Sequence, residues 1–71
     1  MSLRPGIYRH FKGNNYEVIG VARHSETDEK LVVYRPLYGD GELWVRPLAM
    51  FKETVERDGE VLPRFEWLGP S

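Results

Sequence analysis

No cysteine occurs anywhere in the 71 residues. Disulfide scaffolds and thiolate metal centres are therefore excluded, and a reducing, cytoplasmic setting is expected. Long apolar runs are missing too. None approaches the ~18 residues of a membrane-spanning helix, and the opening Met1-Ser2-Leu3-Arg4-Pro5 has no apolar signal core. A soluble protein with no membrane partner is expected. Nor does charge of one sign dominate: Lys and Arg total 10, Asp and Glu 11, for a net charge of −1. The chain as a whole thus has no general attraction for nucleic acid. A phosphate-cradling loop is also lacking, because Gly39-Asp40-Gly41-Glu42 is not followed by the lysine and helix that such a loop requires. There is no Gly-x-Ser-x-Gly elbow. Nothing implies a cofactor, and no reaction can be named.

What the chain does contain is short stretches of strand character cut by turn residues. They cover residues 6–12, 16–24, 30–37 and 43–46, separated by Gly13-Asn14-Asn15, an acidic turn at 25–29, and Gly39-Asp40-Gly41. Leu31-Val32-Val33-Tyr34 is the most β-prone of these stretches. Pro47 opens a segment without period two, so one turn of 3₁₀ or α helix is predicted at Leu48-Phe51. Asp58-Gly59 is a strong two-residue hairpin signal between strands at 54–57 and 60–65. Gly69-Pro70-Ser71 reads as a frayed end. A single domain over residues 1–71 is expected, with its ordered core at about 5–68. So small a domain buries only about 60% of its unfolded surface. An antiparallel all-β fold of about five to six strands, curled into a small barrel, buries the apolar faces with least chain.

A three-residue loop at Gly13-Asn14-Asn15 predicts that Lys12 faces Tyr16, His10 faces Val18 and Tyr8 faces Gly20. Tyr8, His10, Tyr16, Val18, Ala22 and His24 then share one side of the hairpin. Gly20 is the predicted bend, since glycine inside a strand often marks a bulge.

The ordered string of Gly6, Tyr8, His10-Phe11-Lys12-Gly13, Tyr16, Val18, Ala22-Arg23-His24-Ser25-Glu26, Val33-Tyr34, Leu37-Tyr38, Trp44, Arg46-Pro47 and Met50-Phe51 resembles the bacterial family DUF1653. The resemblance covers roughly residues 5–65. It implies a small SH3-like β-barrel and assigns no function.

The polar residues with chemical potential are His10, His24, Ser25 and Glu26. Two histidines and a carboxylate can hold a metal, but His10 and His24 lie several pairs apart along the hairpin. Each is better read as a strand residue bonded to nearby backbone. Ser25 is better read as capping its turn than as a nucleophile, because adjacent strand side chains point to opposite faces. The aromatics Tyr8, Tyr16, Tyr34, Tyr38 and Trp44 form the second group. Nine aromatics exceed what so small a core can hide, and a ring beside an arginine builds a recognition shelf. Tyr8, His10, His24, Ser25, Glu26, Tyr34, Trp44 and Arg46 are therefore the candidate ligand-binding residues of a non-catalytic module. Its partner would be a protein, a peptide or a small charged ligand. The alternatives are single-stranded nucleic acid bound through the basic N-terminal hairpin, a His/Glu-based metal or catalytic site, and pairing of two copies into a homodimer.

Overall fold

A computed structural model describes residues 3–71; Met1 and Ser2, part of the opening segment in which no apolar signal core is expected, lie outside the described residues. The fold is all-β. Strands β1 (Gly6–His10), β2 (Asn15–Arg23), β3 (Lys30–Pro36) and β4 (Trp44–Pro47) lead into one helical turn, α1 (Leu48–Phe51). Strands β5 (Thr54–Arg57), β6 (Glu60–Pro63) and β7 (Phe65–Gly69) complete the chain. Five strands form an antiparallel sheet in the order β4-β3-β2-β1-β7, and β5 and β6 form a separate hairpin. The helical turn falls where Pro47 predicts it. Among the described residues, no helix is long and apolar enough to cross a membrane.

The strand count is seven rather than five to six, because the predicted 60–65 strand splits. β6 stops at Pro63, and Arg64 turns the chain so that Phe65–Gly69 pairs with β1. Proline has no N–H to continue a ladder, which makes Pro63 the natural stop. Gly69, expected in a frayed end, instead lies within this strand opposite Ile7, and Ser71 beyond it is hydrogen-bonded to the Glu17 side chain.

The β1–β2 register also differs from expectation. Tyr8 pairs with Tyr16 and Gly6 with Val18. The loop is Phe11-Lys12-Gly13, closed by His10 N–H donating to the Asn14 carbonyl at 2.8 Å. Only Gly13 takes a positive φ (111°), and it occupies the last loop position, where a three-residue hairpin needs one. A turn moved by two residues keeps side-chain parity, so Tyr8, Tyr16 and Val18 still share the inner face. At Gly20 the bend is present: the pairing with β3 shifts register between Val18 and Gly20. Beyond the bulge the faces swap. Val21 packs on the core, whereas Ala22, expected on the inner side, is exposed.

The core consists of Tyr8, Tyr16, Val18, Val32, Tyr34, Leu48, Phe51 and Phe65. It reveals how strongly the sheet curls. β3 and β7 are three steps apart in the strand order, which would separate them by ~14 Å in a flat sheet. Yet the rings of Tyr34 and Phe65 lie 6.1 Å apart. At the β5–β6 turn, Asp58 (φ 53°) and Gly59 (φ 81°) both take the positive φ of a type I′ turn.

Gly6 has φ +138°, and a Cβ there would meet the Gly69 carbonyl oxygen and lie 2.8 Å from Trp67 Nε1. Gly20 has open space around it and no positive φ. Gly6→Ala should therefore cost ~3 kcal/mol, while Gly20→Ala should stay within about 1 kcal/mol of the parent. Urea denaturation of both variants checks the contrast, and equal midpoints would refute it.

Candidate functional site

The candidate residues fall into three places. Tyr8 and Tyr34 are core residues. The Tyr8 hydroxyl donates to the Arg4 carbonyl at 2.7 Å, and burial raises its pKa above the ordinary value. Tyr34 packs edge-on against Phe51, centroids 5.5 Å apart. Both rings close the interior rather than offering a surface.

His24, Ser25 and Glu26 lie in the exposed turn after β2. That turn is at the far end of the nine-residue β2 from His10, a run of roughly 25–30 Å for a strand of this length. The turn satisfies its own polar groups. His24 Nδ1 accepts the Glu26 N–H at 3.1 Å and the Thr27 N–H at 3.4 Å. Thr27 Oγ1 accepts the Glu29 N–H at 3.2 Å, and Arg23 pairs with Asp28 at 3.3 Å. Here His24 and Thr27 supply the turn's side-chain acceptors. The two histidines do not converge. Each Nδ1 faces a backbone N–H, which places the neutral ring's proton on Nε2, the tautomer that leaves no free nitrogen lone pair. Among the described residues, no group of three His, Asp or Glu side chains is arranged to hold a metal.

His10 and Arg46 do come together on the Phe65 ring, and Trp44 is joined to His10 through Tyr16, on the inner face of the curled sheet. Strand alternation explains why: Trp44 lies opposite Tyr34 and Arg46 opposite Val32, so both point inward from edge strand β4, while Val45 points out. His10 packs edge-on against Phe65, centroids 4.9 Å apart, and 6.4 Å from Tyr16. The Arg46 guanidinium lies 5.6 Å from the Phe65 ring centroid, within cation–π range. Trp44 sits 6.2 Å from Tyr16 and stays 43% exposed. Tyr38, 47% exposed, places its hydroxyl 3.1 Å from that of Tyr16. Burial first, and then this hydrogen bond, push the Tyr16 phenol up to about 12, so it stays protonated.

Two residues of this mouth, Phe65 and Arg64, could not be placed there from the sequence, because only the pairing of β7 with β1 across 57 residues brings them to it. Arg64 reaches Glu53 at 3.6 Å, and its buried Nε makes no hydrogen bond. The charges of the sheet are segregated. On the outer face, Arg9 pairs with Glu66 at 3.3 Å and Arg35 with Glu17 at 2.7 Å. Arg35 accordingly holds the Glu17 carboxyl below its ordinary value. Arg46 has no ion pair among the described residues. The mouth is thus a row of rings flanked by under-compensated cations.

The chain belongs to the DUF1653 family, described as a protein of unknown function, whose pattern matches residues 6–67. It is similar to the crystal structure of a DUF1653 protein from Bordetella bronchiseptica, with 42% identity and a TM-score of 0.87. That match covers 97% of this chain and 91% of the other. No curated protein matches the chain.

Burial, followed by the nearby charges of Arg64, Arg46 and Lys12, holds the His10 imidazole below its ordinary value. An unfolded chain carries that histidine near 6.5. Between the two values the unfolded state binds more protons, so stability is whole above about pH 6.5 and falls as pH drops through the folded-state value. His10→Gln should flatten this loss. Urea midpoints at pH 7.5 and pH 5 should fall less for the variant than for the parent; equal falls would contradict the assignment.

Proposed function

We propose that this domain is a non-catalytic binding module, an SH3-like barrel whose open end receives an extended ligand. The barrel reading is supported by the inward curl of the sheet, which brings Phe65 of one edge strand under Arg46 of the other. The helical turn between β4 and β5 is consistent with it. The observation that carries the function is the mouth itself. Trp44 and Arg46 project from one strand onto the same face as His10, Tyr38 and Phe65, with two of the rings substantially exposed. Exposed aromatics beside unmatched arginines are the usual anchors of a recognition surface.

The form of the mouth favours a long ligand over a compact one. The described residues enclose no pocket, whereas small molecules are held in concave sites that bury most of their surface. A shelf instead suits a chain that lies across it. Non-catalytic recognition also agrees with the histidines, since each offers its Nδ1 to local backbone rather than to a nucleophile. A cytoplasmic setting goes with this reading, as a fold held by ring packing needs no oxidising compartment.

Titrating the labelled domain against panels of extended peptides and charged compounds should perturb Trp44, Arg46 and His10 together in amide NMR spectra. For any ligand so found, Trp44→Ala should weaken binding about tenfold or more while the spectrum stays dispersed. A folded Trp44→Ala variant that binds with parental affinity would refute the proposal.

A further inference from the structure

We infer that the shelf takes single-stranded nucleic acid, with bases stacked on Trp44 and Tyr38 and backbone phosphates reaching Arg46, Arg64 and Lys12. The inference rests on the binding-module reading above and names its ligand.

Three features of the mouth point to this chemistry. The first is where the cations sit. Arg46 lies over Phe65, Arg64 directly precedes it in the chain, and Lys12 stands 5.8 Å from the adjoining Phe11 ring. Carboxylates match three of the other arginines, at Arg9–Glu66, Arg23–Asp28 and Arg35–Glu17, while Arg4 lies over the Trp67 ring and Arg57 donates to the Phe11 carbonyl. At the mouth only Arg64 has one, at a long 3.6 Å, and its buried Nε is left without an acceptor. An incoming oxyanion could meet Arg46 and Lys12 without displacing a carboxylate, whereas the buried Arg64 Nε lies out of its reach and only the outer guanidinium nitrogens of that residue could take part. After burial, the charges of all three cations add to holding the His10 imidazole below its ordinary value.

The second feature is the pair of exposed rings. Trp44 and Tyr38 both contact Tyr16, at 6.2 and 5.9 Å, so the two exposed rings share one supporting ring. The hydroxyl contact with Tyr16 fixes the Tyr38 ring. Flat, fixed rings beside a positive row are how proteins hold unpaired bases without regard to sequence. An acidic peptide could answer the arginines but would leave the ring faces unused.

The third feature is where the acids lie. Glu26, Asp28 and Glu29 occupy the turn at the far end of β2, and Glu56, Asp58 and Glu60 cluster at the β5–β6 hairpin. Asp40 and Glu42 lie in the loop between Tyr38 and Trp44, and Glu53 pairs with Arg64, so within the net charge of −1 the local positive excess is that of Arg46 and Lys12, which have no carboxylate partner among the described residues. Local potential, not the total, decides where a phosphate chain lies.

The test uses the full chain with the oligonucleotides dT10 and rU10. Binding should perturb the Trp44 indole and the His10 and Arg46 amides together. It should raise the His10 titration midpoint, because a bound phosphate favours the imidazolium. Three phosphate contacts predict about 20-fold weaker binding between 50 and 200 mM salt. Arg46→Ala should lower the salt slope by about 0.7, and Trp44→Ala or Tyr38→Ala should weaken binding about tenfold. Should either aromatic variant lose its dispersed spectrum, the other and the His10 midpoint carry the test. Silence from both oligonucleotides at 50 mM salt, or perturbation confined to residues away from the mouth, overturns the inference. Hexaglutamate is the control. If it alone perturbs the mouth, nucleic acid is wrong while the binding module stands; if hexaglutamate, the oligonucleotides and the peptide panel all fail, both fall.

Discussion

The stack of Phe65 on Phe51 is the contact on which the rest of the structure depends. The two rings lie 4.0 Å apart with planes 4° from parallel. Phe51 comes from the helical turn and Phe65 from the last strand, two elements that share no backbone ladder. Their contact holds the end of the chain over the inner face of the sheet. Phe65 also meets Tyr16 at 5.7 Å and Tyr34 at 6.1 Å, so one side chain joins β7 to β2, β3 and the helix. A domain of this size cannot gather many aliphatic layers. Rings bury the most area per residue, and five of the eight core residues are aromatic. The core is therefore a mesh of edge-to-face contacts around one parallel stack.

That economy has a consequence for recognition. The floor of the mouth is the top of the core: His10 and Arg46 rest on Phe65, and Trp44 and Tyr38 rest on Tyr16. A ligand touching the exposed rings therefore presses on side chains that also hold the sheet closed. Stability and binding are coupled through Phe65 and Tyr16 in a way that a larger domain, with a layer between site and core, would avoid.

Much of the fold is legible in the sequence where local chemistry decides it. Asp58-Gly59 demands a type I′ turn and takes one. Pro47 starts the helical turn, and Gly20 marks the bulge. What escapes is decided at a distance. The pairing of Phe65–Gly69 with β1 leaves no trace in periodicity, because its partner lies at the other end of the chain. The β1–β2 turn was ambiguous for a different reason. Gly13 can begin a loop or end one, and only the positions of Tyr8 and Tyr16 in the core select the second. The candidate site shows the same division. Trp44, Arg46 and His10 are legible as an indole, a guanidinium and an imidazole on strands, but Tyr8 and Tyr34 fill the interior first.

The mouth ultimately depends on the loop between β3 and β4. Gly39 and Gly41 both take positive φ there, at 66° and 67°, which lets the chain reverse and sets Trp44 opposite Tyr34. Strand side chains alternate, so a slip of one residue would turn every side chain of β4 over. Val45 would then enter the mouth, while Trp44 and Arg46 would join the outer face beside arginines already matched with glutamates. The core would scarcely register the exchange, because β4 contributes none of its eight residues. Two glycines in the loop between Tyr38 and Trp44 thus decide whether the sheet carries a basic aromatic shelf or a blank edge.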